Sequence, residues 1–97
     1  MKFEWDPIKE QVNLAKHGVS FEQACYVFSD PFALTIYDEA HSESEDRWIL
    51  LGKSFNETIL TVVHTYKDLE GIEKVRIISA RKSTKIESNT YQKRCPL

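Results

Sequence analysis

Residues 59–80 read ILTVVHTYKDLEGIEKVRIISA, and this stretch decides the fold class. Ile59 to Tyr66 is rich in β-branched residues, which suit a pleated, half-buried strand. Asp68-Leu-Glu-Gly71 carries turn residues, and Val75 to Ala80 (VRIISA) reads as the returning strand. Upstream, Arg47 to Lys53 and Ala33 to Tyr37 have the same β character, with the acidic stretch from Asp38 as the loop between them. Consecutive strands with short connections predict an antiparallel meander.

Before Ala33 the period becomes helical. Asp6-Pro7 is a helix start, an N-cap acid followed by Pro at the first helical position. The spacing predicts a helix from Pro7 to His17 with Ile8, Val12 and Ala15 as its apolar stripe, Leu14 flanking, and Gly18 at the C-cap. Ser20-x-x-Gln23 is a capping box, and Phe21, Ala24, Cys25 and Phe28 give the core-facing positions of a second helix that stops at Asp30-Pro31. Lys2 to Trp5 reads as a short leading strand. Thr84-x-x-Glu87 opens a last helix near residues 85–94, weakly held because its large apolar residues are only Ile86 and Tyr91. The expected fold class is α+β, two N-terminal helices packed on a mainly antiparallel sheet with a short C-terminal helix.

Length and composition agree with this. A 97-residue chain with 41% hydrophobic residues and three each of Gly and Pro makes one domain, residues 1–97, and is neither disordered nor collagenous. No apolar run approaches the roughly 18 residues of a membrane helix, and MKFEWDPIKE has charge where an export signal needs an apolar stretch, so the expected location is the cytoplasm. Cys25 and Cys95 form no CxxC and are expected to be reduced thiols.

The net charge of -2 conceals a strong segregation. Asp38, Glu39, Glu43, Glu45 and Asp46 lie in a stretch with no Lys or Arg, whereas Lys74 to Arg94 holds seven bases against one acid, Glu87. Such a split allows a cationic site, for a phosphate backbone or for an acidic partner, within a protein kept soluble by its modest net charge. Arg76 lies in an apolar strand, on the Lys74, Arg76, Ile78 and Ala80 face by simple alternation, and Arg81 and Lys82 follow at its exit. Together, near a helix start, Arg76, Arg81 and Lys82 make a phosphate site, although a lone strand Arg is as readily an ion-pair partner. Lys9, Asn13, Lys16 and His17 form a polar stripe on the first helix. His17 fits either a catalytic or RNA-contacting role or simple complementarity to the helix dipole. Glu45 and Arg47, two apart on an extended chain, face one way. Trp48 and Tyr66 are core residues or base-stacking platforms.

Walker, GxGxxG, HExxH and GxSxG patterns are absent, and His17, His41 and His64 lie far apart in sequence without zinc-ligand spacing. No cofactor and no metal is therefore expected. The acidic loop has the carboxylates to hold a hard cation, but it lacks the alternating spacing and Gly of an EF-hand and reads rather as a solvated loop.

Several ordered stretches resemble one family. Phe3-Glu-Trp-Asp6, Lys9, Asn13, Lys16-His-Gly-Val-Ser20-Phe-Glu22, Ala24, Phe28, Asp30-Pro31, Glu45-Asp-Arg47 and Arg76-Ile-Ile-Ser-Ala-Arg81-Lys82 are similar to the BrnT toxins, over nearly the whole chain. The resemblance implies a RelE-like fold, RNA cleavage within a type II toxin–antitoxin pair, and neutralisation by BrnA, a ribbon-helix-helix partner through which alone the toxin meets DNA. On this reading Arg76 and Arg81 stabilise the transition state, and His17 or Glu45 moves the proton. Lys9, Lys16, Arg47 and Lys82 hold RNA. The rivals are a non-catalytic RNA- or protein-binding subunit and a structural subunit whose basic strand docks an acidic antitoxin.

Overall fold

The hairpin of residues 59–80 is present and longer than its apolar runs suggested. In the computed structural model, which describes residues 1–42 and 45–94, β4 spans Ile59–Leu69 and β5 spans Ile72–Lys82 around a two-residue turn at Glu70-Gly71. Preceding it are β1 (Lys2–Glu4), α1 (Pro7–His17), α2 (Phe21–Val27), β2 (Leu34–Tyr37), a 3-10 turn at Glu39–His41 and β3 (Arg47–Lys53); α3 (Lys85–Gln92) follows. The sheet order is β1-β5-β4-β3-β2. Strands β2 to β5 form the antiparallel meander, and β1 joins the edge of β5 in parallel, pairing only with Lys74 to Arg76, so the sheet is mixed.

The caps form where their residue types imply. Asp6 accepts from the Ile8 N–H, Ser20 accepts from the Gln23 N–H, and Thr84 and Glu87 exchange both bonds of a capping box. The core lies on the helix side of the sheet, where Val19, Phe21, Ala24 and Val27 pack on Leu50, Leu60, Val62, Val75, Ile77 and Ala80. Helix and sheet approach closely at Gly52, where an added Cβ would meet Val27 Cγ1 at 2.8 Å.

Helix α1 departs from the expected packing. Ile8 and Val12 are not core residues: they are 73% and 61% exposed, and buried Asn13 faces the sheet instead. The physical reason is the short β1, which leaves β5 beyond Arg76 without a neighbouring strand. Asn13 replaces that strand at Ala80, donating to its carbonyl at 2.8 Å and accepting from its N–H at 3.1 Å, while also donating to the Val19 carbonyl at 2.9 Å. Satisfying these backbone groups outweighs burying the apolar stripe.

Helix α3 is better anchored than its composition suggested. Ile86 is exposed, but Tyr91 is buried and its hydroxyl donates to Asp30. Burial alone would raise the Asp30 pKa, yet hydrogen bonds from the Lys53 N–H, the Tyr91 hydroxyl and the Phe32 N–H hold it below its ordinary value. Cys25 is a half-buried free thiol whose pKa is pushed up to about 11, first by burial and then by Glu22 and Glu10. Cys95 lies outside the described residues, as does Glu43 of the acidic loop.

Candidate active site

The candidate site is organised by one irregularity in β5. Ser79 pairs with Val63 and Ile77 pairs with His64, so Ile78 is an extra residue opposite a single step of β4. A bulge of this kind reverses the alternation beyond it. Arg76 is opposite Thr65 and Arg81 is opposite Thr61, four residues apart on β4, so both arginines project from the face away from α1 and α2. The unbroken alternation expected from the sequence is corrected here. Ala80 points into the core rather than sharing the Arg76 face.

Cross-strand register extends this face. Arg47, Thr65, Arg76 and Glu4 occupy one row across β3, β4, β5 and β1, and opposite residues in a ladder share a face. Lys67 and Lys74 form the next row. Ile36, Ile49 and Val63 form an apolar row between the Arg76 and Arg81 levels. The result is an open sheet surface with cations on both sides of an apolar band.

The two arginines differ in how they are held. Arg76 makes an ion pair at 3.0 Å with Glu4, and both side chains are substantially exposed. Arg81 makes a two-pronged pair with Glu87, at 2.7 and 3.0 Å. The same carboxylate accepts from the Thr61 hydroxyl and the Thr84 N–H. Arg81's hydrogen bonds lead the causes that bring the Glu87 pKa down to about 2, and Glu87 in turn pushes the Arg81 guanidinium further up. Arg81 is thus a fixed cation with a set orientation.

Two depressions flank the row. One, of 70 Å³, brings Glu45 together with Glu4, Thr65, Lys67, Lys74 and Arg76. The other, of 310 Å³, is lined by Asp38, His41, Arg47 and Arg81 over a floor that includes Ile49 and Val63. Glu45, Arg47, Arg76 and Arg81 are therefore gathered on one surface. Among the described residues there is no ion pair between Glu45 and Arg47. Lys9, Lys16 and His17 instead line a separate groove of 260 Å³ beside α1, which meets the second depression at Ile78 and Ser79. Lys82, opposite Leu60, points to the helix side.

Another hollow, of 430 Å³, lies on the other face, between Phe28, Asp30, Trp48, Leu50, His64 and Tyr66. It has no Lys or Arg in its lining, so its size does not recommend it for a polyanion. His64 sits there edge-on to Phe28 with its pKa lowered by burial, a neutral core histidine. Trp48 and Tyr66 share that face and do not look onto the arginines.

Two residues of the cationic face were not legible as site residues. The His41 Nδ1 lies 3.1 and 3.2 Å from the two carboxylate oxygens of Asp38. The Asp-x-x-His spacing on a tight turn was the available signal, and it was masked by the surrounding acids. Ser42 locks this turn onto β3, since its hydroxyl donates to the Asp38 carbonyl and accepts from the Arg47 N–H. Arg47 Nε is buried and has no hydrogen-bond partner among the described residues. Also among the described residues, no three His, Cys, Asp or Glu side chains gather as a metal-holding group, and no helix is long and apolar enough to cross a membrane.

Comparison with known proteins gives a consistent result. The family described as "Ribonuclease toxin, BrnT, of type II toxin-antitoxin system" matches residues 5–87. The crystal structure of the ribonuclease toxin BrnT of Brucella abortus superposes with a TM-score of 0.64 at 29% identity, covering 88% of this chain and 99% of that one. No curated protein sequence matches the chain.

Proposed function

The chain belongs to the BrnT ribonuclease toxin family of type II toxin–antitoxin systems, and from that premise we propose that it cleaves RNA without a metal, on the face that carries Arg47, Arg76 and Arg81. The observation that carries this reading is the bulge at Ile78, which turns two strand arginines five residues apart toward one open surface beside Glu45. We read the architecture as RelE-like.

Cleavage within an RNA chain requires a proton to leave the 2′-hydroxyl, negative charge to be neutralised on the phosphorane, and the departing 5′-oxygen to be protonated. Arg76 and Arg81 supply the neutralising charge. Glu45, in the depression that contains Arg76, is the base. Arg47, Lys16 and Lys9 hold the flanking backbone, whereas Lys82, turned to the helix side, lies off this face. His17, in the α1 groove, serves the same flank. A BrnA-like ribbon-helix-helix antitoxin covers this surface in the cytoplasm, and any contact with DNA passes through the antitoxin.

The test is cleavage of a defined RNA by purified protein. Activity is expected to survive EDTA, DNA of the same sequence to remain intact, and the ends to be a 2′,3′-cyclic phosphate and a 5′-hydroxyl. One 2′-deoxy substitution at the cut site should abolish cutting there. Normal cleavage of that substrate would contradict the mechanism, and binding without shortening would make the protein a non-catalytic subunit.

A further inference from the structure

We propose that His41, oriented by Asp38, is a catalytic residue of this site, the acid that protonates the departing 5′-oxygen. The assignment rests on the ribonuclease reading and names a group that the arginines and Glu45 leave open. Geometry sets it apart from the other histidines. The Asp38 side chain is only 11% exposed and the His41 side chain is 69% exposed, so a held carboxylate supports an accessible ring. With Nδ1 against Asp38, the carboxylate fixes the proton on Nδ1 and leaves Nε2 to exchange protons with a ligand. The same division of labour orients the imidazole in carboxylate–histidine catalytic pairs.

The surroundings select the ligand. His41 shares its depression with Arg47 and Arg81, which with Asp38 are the charged groups lining it among the described residues. Glu87 is turned to Arg81. An acid is useful only beside the group it protonates, and here it adjoins two guanidinium groups suited to a phosphate. Among the described residues the buried Nε of Arg47 has no hydrogen-bond partner, and an anion in this corner would satisfy it. His17 has no such support, lying with Lys9 and Lys16 beside α1.

In the step itself, the 2′-hydroxyl proton passes to Glu45 as the 2′-oxygen bonds to phosphorus. The bond from phosphorus to the 5′-oxygen breaks, and the proton on His41 Nε2 goes to that oxygen. The products are the 2′,3′-cyclic phosphate and the 5′-hydroxyl, with Glu45 protonated and His41 neutral until water resets both.

Single-turnover cleavage across pH tests the assignment, using wild type, His41→Gln, His41→Ala and Asp38→Asn on two substrates. One is ordinary RNA, and the other carries sulfur in place of the 5′-bridging oxygen, a leaving group that needs no proton. Both His41 variants should cut ordinary RNA about 10²-fold more slowly or worse and lose the alkaline limb of the wild-type pH profile. Both should regain near wild-type rates on the sulfur substrate. Asp38→Asn should shift that limb. A His41→Gln rate and profile equal to wild type, or equal slowing on both substrates, would overturn the assignment while leaving the ribonuclease reading intact. A wild-type protein that does not cut RNA would overturn both.

Discussion

Arg76 and Arg81 are five residues apart on one strand and yet point to the same side of the sheet, because Ile78 is inserted between them as a bulge. In an unbroken strand that odd spacing would send one arginine into the hydrophobic core. The bulge thus serves packing and chemistry together: it buries Ile77 and Ala80 on one face and presents both cations on the other.

Deleting Ile78 should therefore be worse than replacing it. Ile78→Ala is expected to fold and retain activity, whereas removal of the residue must reverse either the Ala80 or the Arg76 end of β5. Loss of soluble protein or of the cooperative thermal transition in the deletion alone, seen by circular dichroism, is the expected result.

Arg81→Ala should lose stability as well as activity, since it leaves the Glu87 carboxylate without its main partner. The expected loss is about 1–3 kcal/mol. Adding Glu87→Gln should recover part of that stability and none of the activity. Urea denaturation of the single and double variants measures the coupling directly.

The same pair predicts acid sensitivity. Glu87 has its pKa lowered from 4.5 to about 2 in the folded protein, so its stabilisation is complete above the ordinary value and is lost as pH falls through the folded value. Asp30, also lowered, acts in the same direction. Melting temperature should drop between pH 4.5 and 2. Glu87→Gln should flatten that drop in part.

Asn13→Ala should be among the most damaging changes on α1, although Ile8→Ala and Val12→Ala are nearly silent for stability. Removing the amide leaves Ala80 and Val19 backbone groups unpaired in the core, at about 2–4 kcal/mol by urea unfolding. Gly52→Ala should cost about 1–3 kcal/mol through its clash with Val27.

Local signals in the chain were reliable where the decision was local. Asp6, Ser20 and Thr84 mark their helix starts, and Arg47–Lys53 and Pro7–His17 have the extents that their patterns imply. The failures are tertiary. The apolar stripe of α1 faces solvent because an open strand edge required Asn13, and that edge exists only because β1 is three residues long. Nothing in Ile77-Ile-Ser79 announces a bulge, as it contains no Gly, so alternation placed Ala80 beside Arg76. The basic residues were recognisable, but their division between two faces was not: Arg47, Arg76 and Arg81 share one, and Lys82 belongs to the other.

The central claim is that RNA is cut on the Arg47, Arg76 and Arg81 face, and Arg76→Ala tests it most directly. Among the described residues Arg76 is held only by an exposed pair with Glu4, which contributes little to folding, so its loss should leave the melting temperature unchanged. The account predicts a fall of about 10²- to 10³-fold in single-turnover RNA cleavage at that unchanged stability. Cleavage at the wild-type rate by equally stable Arg76→Ala protein would contradict it and move the active surface elsewhere.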